Sequence, residues 1–345
     1  MWTFFLSLLV GSLALHRYVE PALDLQQIFS AKEEGWLGAD VVCSHPISSN
    51  RSLWIFGDSL FGSSDGKTRN ITAMYRNSIA LLDKDSHTPY FFFQNRNKSP
   101  FFKPNAANSW VWPISLYSSH SHTIVVLSYA VVEDPSDPFG FAVNGSYIHV
   151  ASDLESHPHH WNIQSHFCCC SLLDNSLHVV GVEHDHSGKH NVFFKATPSS
   201  DPLHLSWSIL VHDTNSLSNF YIPISDYLNH KSKYISVRLP EGTDEGYLLF
   251  FKDKWLFFYN EAFGNSINYR VATSFEGPWS EGVVLYEVPD EYKSRNRFFY
   301  APKVHPEMSK HDDELILTYA TNSFVPQDLD DDADLYVPRF IRSFW

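Results

Sequence analysis

The chain has 345 residues, of which 43% are hydrophobic and 16% aromatic, so it contains enough apolar side chains for a large core. Its formal net charge of -14 at pH 7 disfavours nucleic acid as a partner, because the phosphates would be repelled. No Gly/Ser/Pro-rich linker interrupts the sequence, and all-β folds often exceed about 200 residues as one unit, which favours a single domain.

The N-terminal segment Trp2–Leu15 is apolar and shorter than the roughly 20 residues that span a membrane, which is typical of a signal-peptide core. Ser12 and Ala14 suit the small-residue positions of a cleavage site, so we expect a signal peptide at residues 1–14, with an uncleaved anchor as the alternative. Asn-x-Ser/Thr motifs follow at Asn50, Asn70, Asn97 and Asn144. These features predict a secreted glycoprotein that is not membrane-bound once the leader is removed.

Short runs rich in Val, Ile, Phe, Tyr and Trp recur between turn signals, which is typical of an all-β protein. An extended segment, a turn and a strongly apolar strand appear together five times, at Ala39–Phe61, Trp110–Val132, His166–Asp185, Tyr247–Phe263 and Tyr300–Phe324. Each spacing leaves room for two more strands, so the repeat predicts a monomeric five-bladed β-propeller over residues 23–345. The last unit is short, and we expect Leu23–Ser30 to supply its outer strand. A β-sandwich would explain the strands but not the recurrence.

In a propeller, the starts of first strands and the ends of second strands lie at the same mouth of the central channel. Starts of first strands carry Asp40, Trp110, Trp112, His166 and Tyr300. Ends of second strands carry Asp58, Glu183 with His184, Glu261 with Asn260, and Asn322. We therefore expect acids, aromatic rings and amides to converge on one concave surface, which is the mixture that a sugar site needs.

Four acids are the catalytic candidates. Asp40 and Asp58 lie in apolar surroundings, where a carboxylate is costly unless it is hydrogen-bonded, so either catalysis or bonding to backbone amides explains them. Glu261 ends the most hydrophobic strand, and we expect desolvation to raise its pKa toward that of a general acid; an ion pair with Arg270 is the alternative. Glu183 is a similar but less specific candidate in a charged segment.

The aromatic and metal-ligand patterns are less specific. Trp110 and Trp112 share one face of a strand, either as a stacking platform or as core between blades. Consecutive Cys168, Cys169 and Cys170 lie in a predicted strand without zinc-type spacing, and the H-x-H-x-x-x-H pattern from His184 to His190 lies in a predicted exposed turn. The stretch 328–334 lacks the Gly and Glu of an EF-hand, which favours a solvated loop. We expect no metal site and no cofactor, with a structural Ca²⁺ in the channel left open.

Several motifs resemble a known group of secreted propellers. They are GADVVCSHPISSNRSLWIFGDSLFG with RNSIALL, SFEGPWS, and FYAPKVHPEM followed by ELILTYATNSF and LYVPRFIR. The group is related in fold to glycoside hydrolase family 43 and includes endo-D-arabinanases long filed as a domain of unknown function. The likeness extends from about Gly35 to Arg342.

The resemblance implies a five-bladed propeller that acts on a glycan with carboxylates from separate blades. Asp40 matches the Asp that would serve as base, Asp58 matches the FGD motif, and Glu183 stands where the group often places its general acid, with Glu261 as the alternative. Substrate-binding candidates are Trp110, Trp112, His166, Tyr300, Asn322 and, within the last motif, Arg339.

Three functions follow from the sequence. The first is an inverting glycoside hydrolase that acts on a furanoside-type or related polysaccharide. The second is a catalytically inactive glycan-binding propeller. The third is a secreted calcium-dependent nucleotide hydrolase. The sequence disfavours it, because no basic cluster that could bind phosphates is predicted at the mouth of the channel.

Overall fold

The computed structural model describes residues 18–31, 33–85, 88–92, 99–120, 123–137, 140–168, 178–185, 188–197, 206–213, 218–229, 234–236, 245–261, 264–293 and 296–345. Strands dominate these residues, so the predicted all-β class is confirmed. None of the helices found in these ranges is long and apolar enough to cross a membrane.

The strands, in chain order, are β1 (Tyr18–Pro21), β2 (Glu34–Ala39), β3 (Cys43–Pro46), β4 (Arg51–Phe56), β5 (Ser59–Ser64), β6 (Arg69–Tyr75), β7 (Ser78–Asp83), β8 (Pro89–Phe92), β9 (Ser109–His120), β10 (Thr123–Glu133), β11 (Phe141–Ser152), β12 (Asn162–Cys168), β13 (His178–Asp185), β14 (Gly188–Thr197), β15 (Ser206–Asp213), β16 (Ser218–Pro223), β17 (Tyr234–Ser236), β18 (Tyr247–Phe251), β19 (Lys254–Tyr259), β20 (Ser266–Ala272), β21 (Val283–Glu287), β22 (Arg297–Val304), β23 (Glu314–Ser323) and β24 (Arg339–Phe344). The α-helices are α1 (Leu23–Gln26), α2 (Ile224–Asn229) and α3 (Asp328–Asp331), and 3₁₀ turns lie at Pro158–His160, Asp290–Tyr292 and Pro306–Met308.

Five sheets carry the repeat. Four of them are antiparallel meanders in chain order: β3-β4-β7-β8, β9-β10-β11-β12, β13-β14-β15-β16 (with β17 also paired to β15) and β18-β19-β20-β21. The fifth is β22-β23-β24-β1, whose outer strand comes from the N-terminal end of the described chain. Strand β3 contacts β9, and β18 contacts β22, so first strands of neighbouring sheets lie side by side.

The outer strand of the fifth sheet is β1 and not the expected segment Leu23–Ser30, so that prediction is wrong. Residues 23–26 form α1 instead. Leu25 in α1 and Ile28 and Phe29 in the turn that follows are all buried, and their i, i+3, i+4 spacing is typical of helical turns rather than of a strand.

The predicted start of the third repeat copy, at His166, is wrong by one strand. His166 lies in β12, the outer strand of the second sheet, where it pairs with Ile148. Glu183 lies in β13, the first strand of the third sheet, and not at the end of a second strand. The cause is length: β9 and β11 have 12 residues each, so the second sheet takes more of the chain than the others. Of the three consecutive cysteines, Cys168 ends β12, and Cys169 and Cys170 lie outside the described residues.

A sixth sheet was not expected from the sequence. It has the order β2-β5-β6, and each of its strands continues along the chain into or out of a strand of the first sheet. Strand β2 leads into β3, β4 leads into β5, and β6 leads into β7. Three chain connections therefore join the two sheets, and the connected strands occur in the same order in both. We call β2-β5-β6 the extension sheet.

Aromatic packing joins the extension sheet to the first and last sheets. Phe29 packs against Trp54 and Phe56 with ring centroids 4.7 and 5.4 Å apart, and Trp36 of the extension sheet stacks on Phe91 at 4.6 Å. Phe340 of β24 stacks on the other side of Phe29. This core fixes the junction between the two sheets, where the candidate site lies.

Candidate functional site

The junction between the extension sheet and the first sheet places two carboxylates and one arginine together. Asp40 lies between β2 and β3, Asp58 between β4 and β5, and Arg76 between β6 and β7. The backbone N–H of Asp40 donates to the carbonyl of Asp58 at 3.4 Å, and that of Gly57 donates to the carbonyl of Asp40 at 2.9 Å. Three neighbouring strands thus present these side chains at the same point.

Gly57 leaves room for the Asp40 side chain. A Cβ atom at Gly57 would lie 2.3 Å from Oδ1 of Asp40, which is far inside van der Waals contact. The glycine of the FGD motif is therefore required by the close approach of the Asp40 carboxyl group to the backbone.

Asp58 accepts hydrogen bonds from two side chains. Nη1 of Arg76 donates to Oδ2 at 3.0 Å, and Nε1 of Trp112 donates to Oδ1 at 2.8 Å. Burial raises the pKa of Asp58, while the Arg76 charge and the Trp112 and Arg76 hydrogen bonds oppose this shift. The site therefore offers Asp58 specific stabilisation of its ionised form.

The neighbours that shift the pKa of Asp40 most are acids and tyrosines. Tyr300 donates its hydroxyl to Oδ2 at 2.9 Å, and Tyr300 and Tyr336 both oppose the rise in the pKa of Asp40. Burial, followed by repulsion from Asp58 and Glu245, raises the pKa of Asp40 to about 8. Asp40 therefore holds a proton at neutral pH, and it differs in this respect from its neighbour Asp58.

Aromatic rings form one wall of the site. Trp110 and Trp112, both on β9, meet edge-to-face with ring centroids 5.9 Å apart, which confirms that they share a face. The guanidinium carbon of Arg76 lies 4.3 Å from the centroid of the Trp110 ring. Both tryptophans are partly exposed and also pack against the core of the second sheet. They can therefore serve both as core residues and as a surface on which a ligand stacks.

Tyr300 and Asn322 lie on the opposite wall. Nδ2 of Asn322 donates to the Tyr300 hydroxyl at 3.4 Å, and Tyr300 lies at an irregularity in the β22–β23 pairing that ends at Lys303. Ala301, which follows Tyr300, has a φ of 51°, so the strand turns out of regular geometry beside the residue that bonds Asp40.

Three site residues were missed by sequence reasoning: Arg76, Glu245 and Tyr336. Glu245 lies two residues before the first strand β18, so the same rule that selected Asp40 would have found it. Arg76 lies in the connection from β6 of the extension sheet to β7 of the first sheet, and Tyr336 precedes β24 with a φ of 59°.

Other candidates are not brought to this site by the contacts of the described residues. Glu261 follows β19 and is exposed, so the expected desolvation of its carboxylate is wrong. Arg339 is buried, donates to the carbonyl of Asp334 and stacks over Tyr292 at 4.7 Å. The side chains of His166 and Glu183 lie outside the described residues.

In the part of the chain that the structure describes, no group of three or more His, Cys, Asp or Glu side chains could hold a metal ion. Within the acidic stretch 328–334, residues 328–331 form the short helix α3, so the predicted loop is wrong for these four residues. Asp328 accepts from Ser323, and Asp332 pairs with Arg297 at 2.6 Å. The side chains of the H-x-H-x-x-x-H pattern lie outside the described residues.

A family model described as a domain of unknown function (DUF5005) matches residues 23–169 and 229–345. No curated protein matches the sequence. A presumed hydrolase from Bacteroides ovatus superposes with a TM-score of 0.74 at 17% identity, over 94% of this chain and 90% of the other, which shows a shared fold.

Further matched structures are glycoside hydrolases. An exo-β-1,3-galactanase from Phanerochaete chrysosporium gives a TM-score of 0.45 at 12% identity, over 91% of this chain and 63% of that one. A family-43 subfamily 1 enzyme from Xanthomonas citri gives 0.41 at 9% identity, over 92% and 91%. The family model confirms the resemblance proposed from the sequence to a group filed as a domain of unknown function.

Proposed function

The chain belongs to the family described as a domain of unknown function (DUF5005), and from its site we propose an activity. We propose that the protein is a secreted glycoside hydrolase with the fold of a five-bladed propeller. The proposed substrate is a furanoside-type or related polysaccharide. The observation that carries the proposal is the pair Asp40 and Asp58, held at one junction in different environments beside two partly exposed tryptophans.

The two environments support a division of roles. Hydrolysis needs one carboxylic acid to protonate the leaving oxygen and one carboxylate to take a proton from water. Arg76 and Trp112 favour the ionised form of Asp58, which suits a base. Asp40, with its pKa raised to about 8, suits the proton donor.

This assignment reverses the role that the resemblance implies for Asp40, and the pH dependence separates the two. If Asp40 donates a proton, kcat/KM falls as pH rises through about 8; if Asp40 is the base, kcat/KM rises through the same pH. Glu183 stays the candidate acid implied by the resemblance, and in that case Asp40 would keep the role of base.

The proposed reaction follows the inverting course of the related group. Asp58 removes a proton from a water molecule as the water attacks the anomeric carbon, and the glycosidic oxygen leaves with the proton of the acid. Trp110 and Trp112 would stack on the apolar faces of sugar rings, and Asn322 would bind a hydroxyl group. The three nearby carboxyl groups favour an uncharged glycan over an anionic one.

The test is the release of reducing ends from a panel of arabinans and other furanosides. We expect the wild-type protein to release them and Asp40→Asn and Asp58→Asn to be inactive but folded. Asp312→Asn, an exposed aspartate on another turn, is the matched control and should keep full activity. Retained activity in both site variants would refute the assignment.

A second candidate function is a catalytically inactive glycan-binding propeller. It is favoured by one observation: both oxygens of Asp58 already accept hydrogen bonds from the protein, from Arg76 and Trp112. Binding of an oligosaccharide without release of reducing ends over time would support this alternative.

A further inference from the structure

The fifth sheet carries a row of aromatic rings that begins at the candidate site. Phe298 and Tyr300 alternate with the buried Phe299 along β22, so their side chains lie on the face of the sheet that Phe299 does not occupy. The ring centroids of Phe298 and Tyr300 are 5.4 Å apart. Those of Phe298 and Phe324 are 4.6 Å apart, with the ring planes tilted by 32°. We call Phe298 and Phe324 the aromatic platform.

Strand pairing joins the aromatic platform to the site. Asn322 pairs with Phe298 in the register of β22 and β23, and paired residues direct their side chains to the same face of a sheet. Nδ2 of Asn322 donates to the Tyr300 hydroxyl at 3.4 Å, and this hydroxyl donates to Oδ2 of Asp40 at 2.9 Å. The platform is therefore continuous with the wall of the site that contacts Asp40.

The outer end of the platform is open to solvent. Phe324 is 51% exposed and the following Val325 is 37% exposed, whereas Phe298 is half-buried. The backbone at Phe324 is held in place, because its N–H donates to the carbonyl of Asn296 at 2.8 Å. Exposed apolar side chains that adjoin a polar site are typical of a binding surface.

The charges near the platform favour an uncharged ligand. The helix α3 (Asp328–Asp331) begins four residues after Phe324, and three of its four residues are aspartates. Arg297, which precedes Phe298, is paired with Asp332 at 2.6 Å. Negative charge beside the platform disfavours an anionic glycan. The apolar faces of uncharged sugar rings suit flat aromatic side chains.

We propose that the aromatic platform is a distal glycan subsite, on which an uncharged oligosaccharide chain continues from the candidate site along the fifth sheet. Sugar residues beyond the reacting bond stack first on Phe298 and then on Phe324, across the site from Trp110 and Trp112. The inference rests on the proposed function where it takes a glycan as the ligand, but it does not require that the glycan is cleaved.

The size of the expected effect follows from the exposure of Phe324. About half of its surface is left for a ligand to cover. Loss of this contact should weaken binding by roughly 5- to 10-fold, as expected for burial of about half a phenylalanine side chain. The ring is remote from the reacting bond, so its loss should appear in KM rather than in kcat.

The experiment compares arabino-oligosaccharides from dimer to octamer. Binding is measured by calorimetry in the Asp58→Asn protein, and KM in the otherwise wild-type chain. Phe324→Ala should bind the octamer roughly 5- to 10-fold more weakly. It should bind the dimer unchanged, because a dimer at the site does not extend past Tyr300 and Phe298 to Phe324. Phe324→Leu keeps an apolar side chain without a flat ring and should recover only part of the affinity.

Phe250→Ala is the matched control. Phe250 is 55% exposed and packs against the ring of Trp255 with centroids 5.1 Å apart, so it resembles Phe324 in exposure and in aromatic contact. It lies near the end of the first strand β18, whereas the site lies at the starts of first strands. Phe250→Ala should leave the affinity for every chain length unchanged. Acidic oligogalacturonides should bind more weakly than arabino-oligosaccharides of the same length.

Several results would overturn the subsite. Unchanged octamer affinity in Phe324→Ala, or the same loss for dimer and octamer, would show that the ring does not hold the distal part of the chain. An equal loss in Phe250→Ala would show that the effect is not specific to the platform. Tighter binding of oligogalacturonides would contradict an uncharged ligand. A wild-type dimer that Phe324→Ala dissociates without any change in glycan affinity would make the platform an interface between copies of this chain.

The subsite and the proposed function can fail separately. Octamer binding that Phe324→Ala weakens, without release of reducing ends, would refute the hydrolase and support the subsite. Hydrolysis by the wild type with an unchanged octamer KM in Phe324→Ala would refute the subsite and leave the hydrolase. If the wild type binds no oligosaccharide of either kind, the subsite is refuted as well.

Discussion

Asp40→Asn should stabilise the protein while it removes activity. The carboxyl group has a reference pKa of 3.8 and a folded value of about 8. The folded state therefore binds this proton more tightly than the unfolded chain, and the native protein loses stability as pH rises from about 4 to about 8. An amide keeps the shape of the acid without an ionisable proton, so it escapes this loss.

The magnitude follows from the size of the shift. A shift of about four pH units at 1.36 kcal/mol each gives an upper limit of about 5 kcal/mol. Asp40 is partly exposed, so water screens part of this effect, and we expect about 1–3 kcal/mol at pH 8. For a chain of 345 residues the gain corresponds to a rise in Tm of about 1–4 °C.

The assay is thermal unfolding at pH 4, 6 and 8 for wild type, Asp40→Asn and Asp58→Asn. The advantage of Asp40→Asn should be absent near pH 4 and largest at pH 8. Asp58→Asn removes the ionic partner of Arg76 and should give no comparable gain. A Tm difference that does not change with pH, or a loss of stability in Asp40→Asn at pH 8, would refute the reasoning.

Three further predictions follow from the site and the core. Gly57→Ala should lower kcat/KM by about 100-fold, since its Cβ would lie 2.3 Å from Oδ1 of Asp40. The substitution should also lower the free energy of unfolding, and by less in an Asp40→Ala protein than in the wild type. Equal losses in the two proteins would count against the clash. Trp112→Phe removes an N–H donor to Asp58, so the low-pH limb of the kcat/KM profile should move upward by about 0.7 pH unit, and an unmoved limb would contradict the role of Asp58 as base. His305 is buried, which lowers its pKa to about 3, and its ring nitrogens bond Ser44 and Thr318. The free energy of unfolding, measured with urea, should therefore fall as the pH falls from about 6.5 toward 3, and His305→Gln should reduce the slope of this free energy against pH by at most about 1.4 kcal/mol per pH unit. An unchanged slope would show that His305 does not take up the proton.

The repeat was predictable because its signal is local. Apolar strands separated by turns recur at each of the five sheets, and the rule for strand starts and ends led to Asp40, Asp58, Trp112 and Tyr300, which the structure joins through hydrogen bonds. Alternation along a strand also sufficed to place Trp110 and Trp112 on one face.

The missed features depend on contacts that are distant in sequence. The extension sheet uses the same strand pattern as the repeat, so nothing local marks β5 and β6 as an insertion between β4 and β7. Arg69, on β6 of the extension sheet, donates to the carbonyls of Leu329 and Asp332 about 260 residues away, and carbonyl acceptors have no sequence signature. The burial expected for Glu261 failed because a strand's hydrophobicity does not fix the exposure of the residue after it.

The most direct test of the account is the release of reducing ends from the furanoside panel by wild type and Asp58→Asn, measured at pH 6 together with binding of the same glycans. The account predicts hydrolysis by wild type and glycan binding without hydrolysis by Asp58→Asn. Equal hydrolysis by both proteins, or neither binding nor hydrolysis of any glycan by wild type, would contradict it.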